Sequence, residues 1–214
     1  MMRRVRRLAM AGSVMGLVAC TGTHGPAVSQ VALTPLDKLT QREPSAQRQR
    51  AMRRLQLASA YFEQGQHDVA LKEVRAAIDL DPRFAQSYNL LGLIHQRLNA
   101  PQSAKSSFDQ AMALVSAPGE SASELASVAH NYGWFLCEQH QYDSGQALLQ
   151  RALAQPGYRQ VVSTWLVLGD CQQRAGMPSQ AEHSWRRALS IEPQNPWLQQ
   201  RLSWPEMQKS VPSS

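Results

Sequence analysis

Two stretches of sequence decide the fold, because they share one spacing: QGQHDVAL at residues 64–71 and AGMPSQA at residues 175–181. Each stretch contains a Gly and, further along the stretch, a small residue. This small residue is Ala70 in the first stretch and Ala181 in the second. A large apolar residue follows four positions after that Ala, a second Ala three positions later, and a Pro five positions further on. Positions three or four apart lie on one face of an α-helix. The spacing therefore predicts the same helical unit twice.

Extending this register divides the chain into four repeats, at about 51–84, 85–118, 126–159 and 162–195. Small residues recur at the eighth and twentieth places, where a first helix A and a second helix B would approach closely. These residues are Ala58, Gly92, Gly133 and Gly169, and Ala70, Ala104, Gly145 and Ala181. Residues that tolerate a left-handed backbone fall between the two helices, as the end of a helix requires. They are Gly65, Asn99, His140 and Gly176.

This spacing resembles the tetratricopeptide repeat (TPR). The resemblance implies an all-α fold, a right-handed superhelical solenoid of four repeats within residues 45–195; a generic helical bundle is the alternative. We expect large residues at the seventh and eleventh places, such as Leu57 and Tyr61, to form the inner stripe of helix A. Residues 119–125 are an insertion, predicted as a longer loop or as an extension of the next helix.

A capping helix is expected after the fourth repeat, because an open solenoid must cover its last apolar face. Asn195 and Pro196 are a favourable start for such a helix. Trp197, Leu198, Leu202 and Trp204 are the candidates to cover the fourth repeat. We therefore assign residues 196–214 to a capping helix and a frayed tail.

The first 20 residues resemble an export signal that ends in a bacterial lipobox. Four arginines, at positions 3, 4, 6 and 7, precede an uncharged stretch from residue 8 to residue 19, and LVAC follows at residues 17–20. A short apolar core after a basic start is typical of a secretory signal. Residues 1–19 are predicted to be a lipoprotein signal peptide, with Cys20 acylated. The alternative is an ordinary signal peptide with a chance Cys.

Residues 20–44 contain Gly and Pro without a sustained period, which predicts a flexible tether. In bacterial lipoproteins an Asp directly after the acylated Cys retains the protein in the inner membrane. Here Thr21 follows Cys20, so this resemblance implies attachment to the outer membrane, with the folded part in the periplasm.

The chain has 22 basic and 16 acidic residues. Without the four arginines of the predicted signal the net charge falls to +2. The charge of the remaining chain therefore gives no argument that it binds nucleic acid.

Cys137 and Cys171 lie late in helix A of the third and fourth repeats. Neighbouring helices have axes about 8–10 Å apart, so two facing side chains can close to the Cα separation that a disulfide requires. We predict that they form a bridge in the oxidising periplasm. The alternative is two buried free thiols.

The sequence offers binding rather than catalysis. Its six histidines have no metal-ligand spacing, and it contains no nucleophile elbow, P-loop or dinucleotide fingerprint. We therefore expect no enzyme, metal, cofactor or small-molecule substrate. In a TPR solenoid the concave groove is lined by helix A. The predicted groove residues are Leu55, Phe62, Asn89, Leu93, His130, Trp134 and Leu166.

Such an apolar groove with polar edges suits an extended or helical peptide of a partner protein. Two alternatives concern its largest residues. Leu55 and Phe62 could be covered by the N-terminal segment or by neighbouring helices, and Trp134 could be part of the core.

The string NYGWFLC at residues 131–137, with the lipobox, the repeats and Cys171, resembles the type IV pilus biogenesis and stability lipoproteins (the PilF/PilW family). The resemblance implies a non-enzymatic outer-membrane lipoprotein. Such a protein assists the localisation or multimerisation of the secretin channel, as a pilotin does, or stabilises pili. Its partner would be a secretin or another pilus-assembly protein. The alternative function on the same scaffold is an adaptor that recruits cell-wall hydrolases or proteases.

Replacing Cys20 by Ala tests the lipid anchor. We expect the variant to fold, because its core lies downstream, and to lose its membrane attachment, because several acyl chains would supply the binding energy. Flotation of outer membranes in a density gradient measures the attachment. Thr21→Ala, which keeps the thiol, is the control. A Cys20→Ala protein that still floated with the outer membrane would contradict lipidation as the anchor.

Overall fold

Residues 45–118 and 121–202 are the part of the chain that the computed structural model describes. This part contains nine α-helices and no β-strand. The helices are α1 (Ala46–Glu63), α2 (His67–Leu80), α3 (Ala85–Arg97), α4 (Pro101–Val115), α5 (Ala122–Glu138), α6 (Tyr142–Leu153), α7 (Val161–Arg174), α8 (Pro178–Ile191) and α9 (Pro196–Leu202). The predicted signal peptide, the tether with Cys20, and Trp204 lie outside the described residues. No described helix is both long and apolar enough to cross a membrane.

The first eight helices form four hairpins, which confirms the predicted all-α repeat architecture. The most extensive packing is within each hairpin, and each second helix then packs on the first helix of the next hairpin. The first helices also contact one another in the series α1, α3, α5 and α7, whereas the described second helices make no comparable contact among themselves. The first helices are therefore the closely spaced layer of the stack.

The four predicted turn residues all have a left-handed backbone, which confirms that prediction. Their φ angles are 74° at Gly65, 54° at Asn99, 61° at His140 and 76° at Gly176. Each turn also contains the same backbone hydrogen bond, 2.9 Å long, from the N–H of the third residue after the helix to a carbonyl five residues earlier. This bond is typical of a Schellman helix end, where a residue in the left-handed region lets the chain reverse. The turn chemistry thus fixes the angle of every hairpin in the same way.

Close approach explains the small residues at the eighth and twentieth places, all of which are buried. A Cβ atom added to Gly145 would lie 2.4 Å from Sγ of Cys137 and 2.8 Å from the carbonyl oxygen of Gly133. A Cβ added to Gly169 would lie 2.3 Å from Nε1 of Trp185. The hairpins are therefore packed with almost no space between their helices at these positions.

Large side chains fill the space between neighbouring hairpins. The rings of Phe108 on α4 and of Tyr132 and Phe135 on α5 pack with centroids 5.4–6.2 Å apart. Leu57 departs from the predicted inner stripe, because its side chain is 40% exposed. The described chain has no repeat in front of α1 that would cover this residue.

The ends of the helices differ from the repeat boundaries by a few residues. Helix α1 begins at Ala46, and the Ser45 hydroxyl accepts a hydrogen bond of 3.1 Å from the backbone N–H of Arg48. Helix α5 begins at Ala122, so the described end of the insertion extends the next helix. These extra turns lengthen the first helices of repeats one and three.

The capping helix α9 is seven residues long. Oδ1 of Asn195 accepts a hydrogen bond of 3.3 Å from the backbone N–H of Leu198, as predicted for the start of this helix. Leu198 is fully buried and Leu202 packs beside it, but Trp197 is 40% exposed. Residues 198 and 202 are one helical turn apart and share a face, whereas residue 197 is turned about 100° away from residue 198. The expected role of Trp197 in covering the fourth repeat is therefore wrong.

Replacing Gly145 by Ala tests the close approach within the third hairpin. The new methyl group would collide with Cys137 and with the Gly133 backbone, so we expect a loss of about 1–3 kcal/mol in unfolding free energy, as for other overpacked sites. Urea denaturation measures it. Ser144→Ala, at the neighbouring exposed position of α6, is the control and should be neutral. Equal stability of the two variants would contradict the close packing.

Candidate partner-binding groove

The seven predicted groove residues lie on the series of first helices, two each on α1, α3 and α5 and one on α7. Leu55 and Phe62 on α1 are half-buried, and both pack against a buried cluster that includes Val74 and Ile94. Neighbouring helices therefore cover part of each side chain and leave the rest exposed. Leu93 on α3 is half-buried between this cluster and the one around Phe108.

Asn89 and His130 are buried rather than exposed in the groove, with 6% and 8% of their surfaces accessible. The side-chain oxygen of Asn89 accepts a hydrogen bond of 3.2 Å from Nδ2 of Asn131, which joins α3 to α5. Nδ1 of His130 lies 2.8 Å from the hydroxyl oxygen of Thr164, which joins α5 to α7. The polar groups of both predicted residues are used between first helices, so these residues hold the groove together.

His130 belongs to a small buried polar group. The Thr164 hydroxyl that it contacts also lies 2.8 Å from the hydroxyl of Tyr158, in the segment before α7, and bonds the backbone carbonyl of Gln160 at 2.8 Å. Burial lowers the pKa of the His130 imidazole to about 4, because an apolar environment disfavours the charged form. His130 is therefore neutral at neutral pH, and it contributes no charge to the recognition of a partner.

Trp134 on α5 is half-buried and belongs to none of the described clusters of buried apolar residues. Its neighbours in the chain, Gly133 and Phe135, are buried, as is Tyr132. The ring of Trp134 is thus carried on a helix whose other faces are fixed in the core. Large aromatic side chains that are rigidly placed and partly exposed are the usual anchors of protein interfaces.

Leu166 on α7 is half-buried against the cluster around Trp185. The backbone carbonyl of Leu166 accepts a hydrogen bond of 3.4 Å from the Trp185 indole, which fixes this end of the groove. The apolar members of the predicted groove, Leu55, Phe62, Leu93, Trp134 and Leu166, therefore all keep some exposed surface.

Two polar contacts between first helices use residues of α5, Asn131 and Glu138, that were not among the predicted groove residues. Asn131 donates to Asn89, as described above. Nε2 of Gln96, on α3, donates a hydrogen bond of 2.5 Å to a carboxylate oxygen of Glu138, on α5. Asn131 follows the predicted groove residue His130 by one place, and Glu138 lies about one helical turn after Trp134.

Cys137 and Cys171 form a disulfide that joins α5 to α7, with their Cα atoms 5.5 Å apart. Both residues are almost fully buried and pack with Leu149 and Leu168. The bridge lies in the same layer of helices as the bond between His130 and Thr164. The third and fourth repeats are therefore connected twice, by the disulfide and by the contact between His130 and Thr164.

The described residues contain no group of three or more His, Cys, Asp or Glu side chains that could hold a metal ion. What the first helices present is a row of partly exposed apolar side chains held by buried polar contacts. This arrangement is suited to binding a chain segment.

Comparison with known families identifies the repeats. Residues 58–99 match a family described as TPR repeat, and residues 85–114 match one described as tetratricopeptide repeat. The chain carries TPR repeats. Their first helices line the groove described above.

The TPR chain is homologous to the type IV pilus assembly protein PilF of Pseudomonas aeruginosa, with 27% identity over 142 residues. The match covers 66% of this chain but only 54% of PilF, so the chain spans about half the length of that relative.

Two solved structures also resemble the chain. That of Pseudomonas aeruginosa PilF has a TM-score of 0.65 at 24% identity, and covers 71% of this chain and 65% of its own. That of PilW, described as a widely conserved type IV pilus biogenesis factor, has a TM-score of 0.65 at 27% identity, and covers 71% of this chain and 66% of its own. The predicted resemblance to PilF and PilW is confirmed.

The Cys137–Cys171 bridge is expected to be present in solution and to stabilise the TPR domain. By the chain-entropy relation, closing a loop of this length contributes about 3–4 kcal/mol. Replacing both residues by Ala should lower the unfolding free energy by up to this amount. Dithiothreitol should then destabilise the parent protein and leave the variant unchanged. If both thiols of the unreduced native protein reacted with an alkylating agent, the bridge would be absent.

Proposed function

We propose that this chain is a TPR adaptor of type IV pilus biogenesis, anchored in the outer membrane through Cys20 and facing the periplasm. Its groove binds a segment of a secretin or of another pilus-assembly protein. The homology to PilF supports the pathway. The observation that supports the mode of action is the half-buried Trp134, which lies on α5 outside the buried clusters of the core.

The groove is built to bind without much rearrangement. A partly buried hydrogen bond joins α3 to α5, a buried one joins α5 to α7, and the disulfide joins the last two again. A binding surface that is already ordered loses little conformational entropy when a partner arrives. The affinity of such a groove then comes mainly from the apolar surface that the partner covers.

The apolar row also indicates the kind of segment that is bound. Leu93, Trp134 and Leu166 lie on three successive first helices, whose axes are about 8–10 Å apart. A segment in the polyproline II conformation rises about 3.1 Å per residue and has three residues per turn, so every third side chain lies on one face and would meet the next helix. We therefore expect a segment of about seven residues with three apolar side chains at intervals of three.

Because of the proposed anchor and tether, a modest affinity of the groove for its partner is sufficient for binding at the membrane. A flexible tether of about 25 residues reaches roughly 25–30 Å, which confines the groove to a thin layer beside the membrane. A secretin embedded in the same membrane meets the groove at a high effective concentration. The adaptor therefore acts on partners at the membrane surface while remaining free to dissociate.

Replacing Trp134 by Ala separates a binding role from a core role. As a groove residue, its loss should leave the melting temperature nearly unchanged and abolish twitching motility and heat-resistant secretin multimers. As a core residue, its loss should cost about 3–5 kcal/mol of stability. Trp197→Ala is the matched control, because Trp197 is a partly exposed Trp on α9 and is not one of the predicted groove residues.

The outcomes of this comparison are distinct. A stable Trp134→Ala variant with normal motility and normal secretin multimers would contradict the groove as the binding site. Loss of pili with normal multimers would place the function in pilus stabilisation. Normal pili together with altered sensitivity to cell-wall hydrolases would instead favour an adaptor for wall enzymes.

A further inference from the structure

The outer side of the first hairpin carries a concentration of positive charge that the proposed groove does not use. Helix α1 has four arginines between residues 48 and 54, and its one acidic residue, Glu63, lies at the opposite end. Cations near the N-terminus of a helix are unfavourable to the helix itself. The stability of α1 therefore does not explain these arginines.

Two of the four arginines are neutralised within the hairpin stack. Arg48 forms an ion pair with Asp81 and lies over the ring of Phe84, 4.5 Å from its centroid. Arg54 bonds a carboxylate oxygen of Glu73 at 2.7 Å. Arg50 and Arg53 are exposed and have no partner among the described residues.

These two arginines border a cavity of about 540 Å³ between α1 and α2. Arg50, Arg53 and Arg54 form its basic side, and Leu57 and Leu80 form its apolar part, with Asp79 as the one acidic residue. Leu57 is 40% exposed, and Leu80 is half-buried. The surface thus combines unpaired guanidinium groups with exposed apolar side chains, which is the chemistry of contact with an anionic bilayer.

We infer that this surface, the membrane-docking face, holds the first hairpin against anionic phospholipid of the membrane in which the chain is anchored. Arg50 and Arg53 contact the phosphate groups, and Leu57 enters the interface between headgroups and acyl chains. The orientation rests on the proposed lipid anchor, because the tether from Cys20 leads directly into α1. Docking of α1 would set the direction in which the groove extends from the bilayer.

The test uses the folded unit without signal, tether or acyl group. Glu43–Ser214 form a compact unit of their own, so this unit is mixed with vesicles of phosphatidylethanolamine and phosphatidylglycerol, and separately with vesicles of phosphatidylcholine. We expect flotation with the anionic vesicles only. Binding should decrease as salt is raised from 0.1 M to 1 M, since the Debye length falls from about 10 Å to about 3 Å.

The decisive variant is Arg50→Gln/Arg53→Gln, which keeps the helix propensity of α1. Each cation near an anionic bilayer contributes about 1 kcal/mol, so the variant should bind about 30-fold more weakly. Arg97→Gln/Arg159→Gln is the matched control, because both residues are exposed elsewhere and the net charge changes equally. Leu57→Ser should weaken binding without changing its dependence on salt.

Three results would overturn the inference. The parent unit could fail to float with anionic vesicles, as expected if the basic face instead binds an acidic protein segment. The control variant could lose binding as strongly as the decisive one, which would mean that the net charge of the unit, and not the membrane-docking face, determines vesicle binding. Inorganic phosphate at millimolar concentration could displace the unit completely, which would indicate a simple anion site. The unit lacks Cys20, so none of these results bears on lipidation or on the pilus function.

Discussion

Every feature of this structure depends on the close approach of the two helices within each hairpin. The third hairpin shows the constraint at its tightest, since the carbonyl of Gly133, the backbone of Gly145 and the sulfur of Cys137 occupy the space that any side chain at residue 145 would need. Close approach brings the first helices of successive hairpins into one layer, and the left-handed turn residues repeat the same hairpin angle four times. The groove exists because this geometry is repeated.

The sequence predicted the local rules of the repeat well, because each one is a property of a single position. A small residue at a crossing or a left-handed residue at a turn is required by backbone geometry alone, and all four turns obeyed it. Leu57 and Trp197 were not predicted correctly because burial at the ends of a solenoid depends on what lies beyond them. Leu57 has no described repeat before it, and Trp197 is on the outer side of a seven-residue helix.

The groove was harder to predict than the fold, for a physical reason. Asn89 and His130 occupy places that face the concave side of the repeat, but their polar groups reach partners on the next first helix and become buried there. A polar side chain at such a place either faces a ligand in the groove or bonds a residue on the next first helix. Which of the two occurs depends on the residue that the next helix presents, such as Asn131 or Thr164. That residue belongs to another repeat. Trp134 and Leu93 remain partly exposed.

The two halves of the groove also differ in the contacts that join their first helices. The third and fourth repeats are joined by a covalent bridge and by the buried group around His130, whereas the contact between the first and second repeats relies on apolar packing around Val74 and Ile94. A rigid surface favours a specific anchor, and Trp134 and Leu166 lie in that half. Under the proposed function, Leu55 and Phe62 of the first half would contact a more variable part of the bound segment. Specificity is therefore expected to be concentrated in the bridged half of the groove.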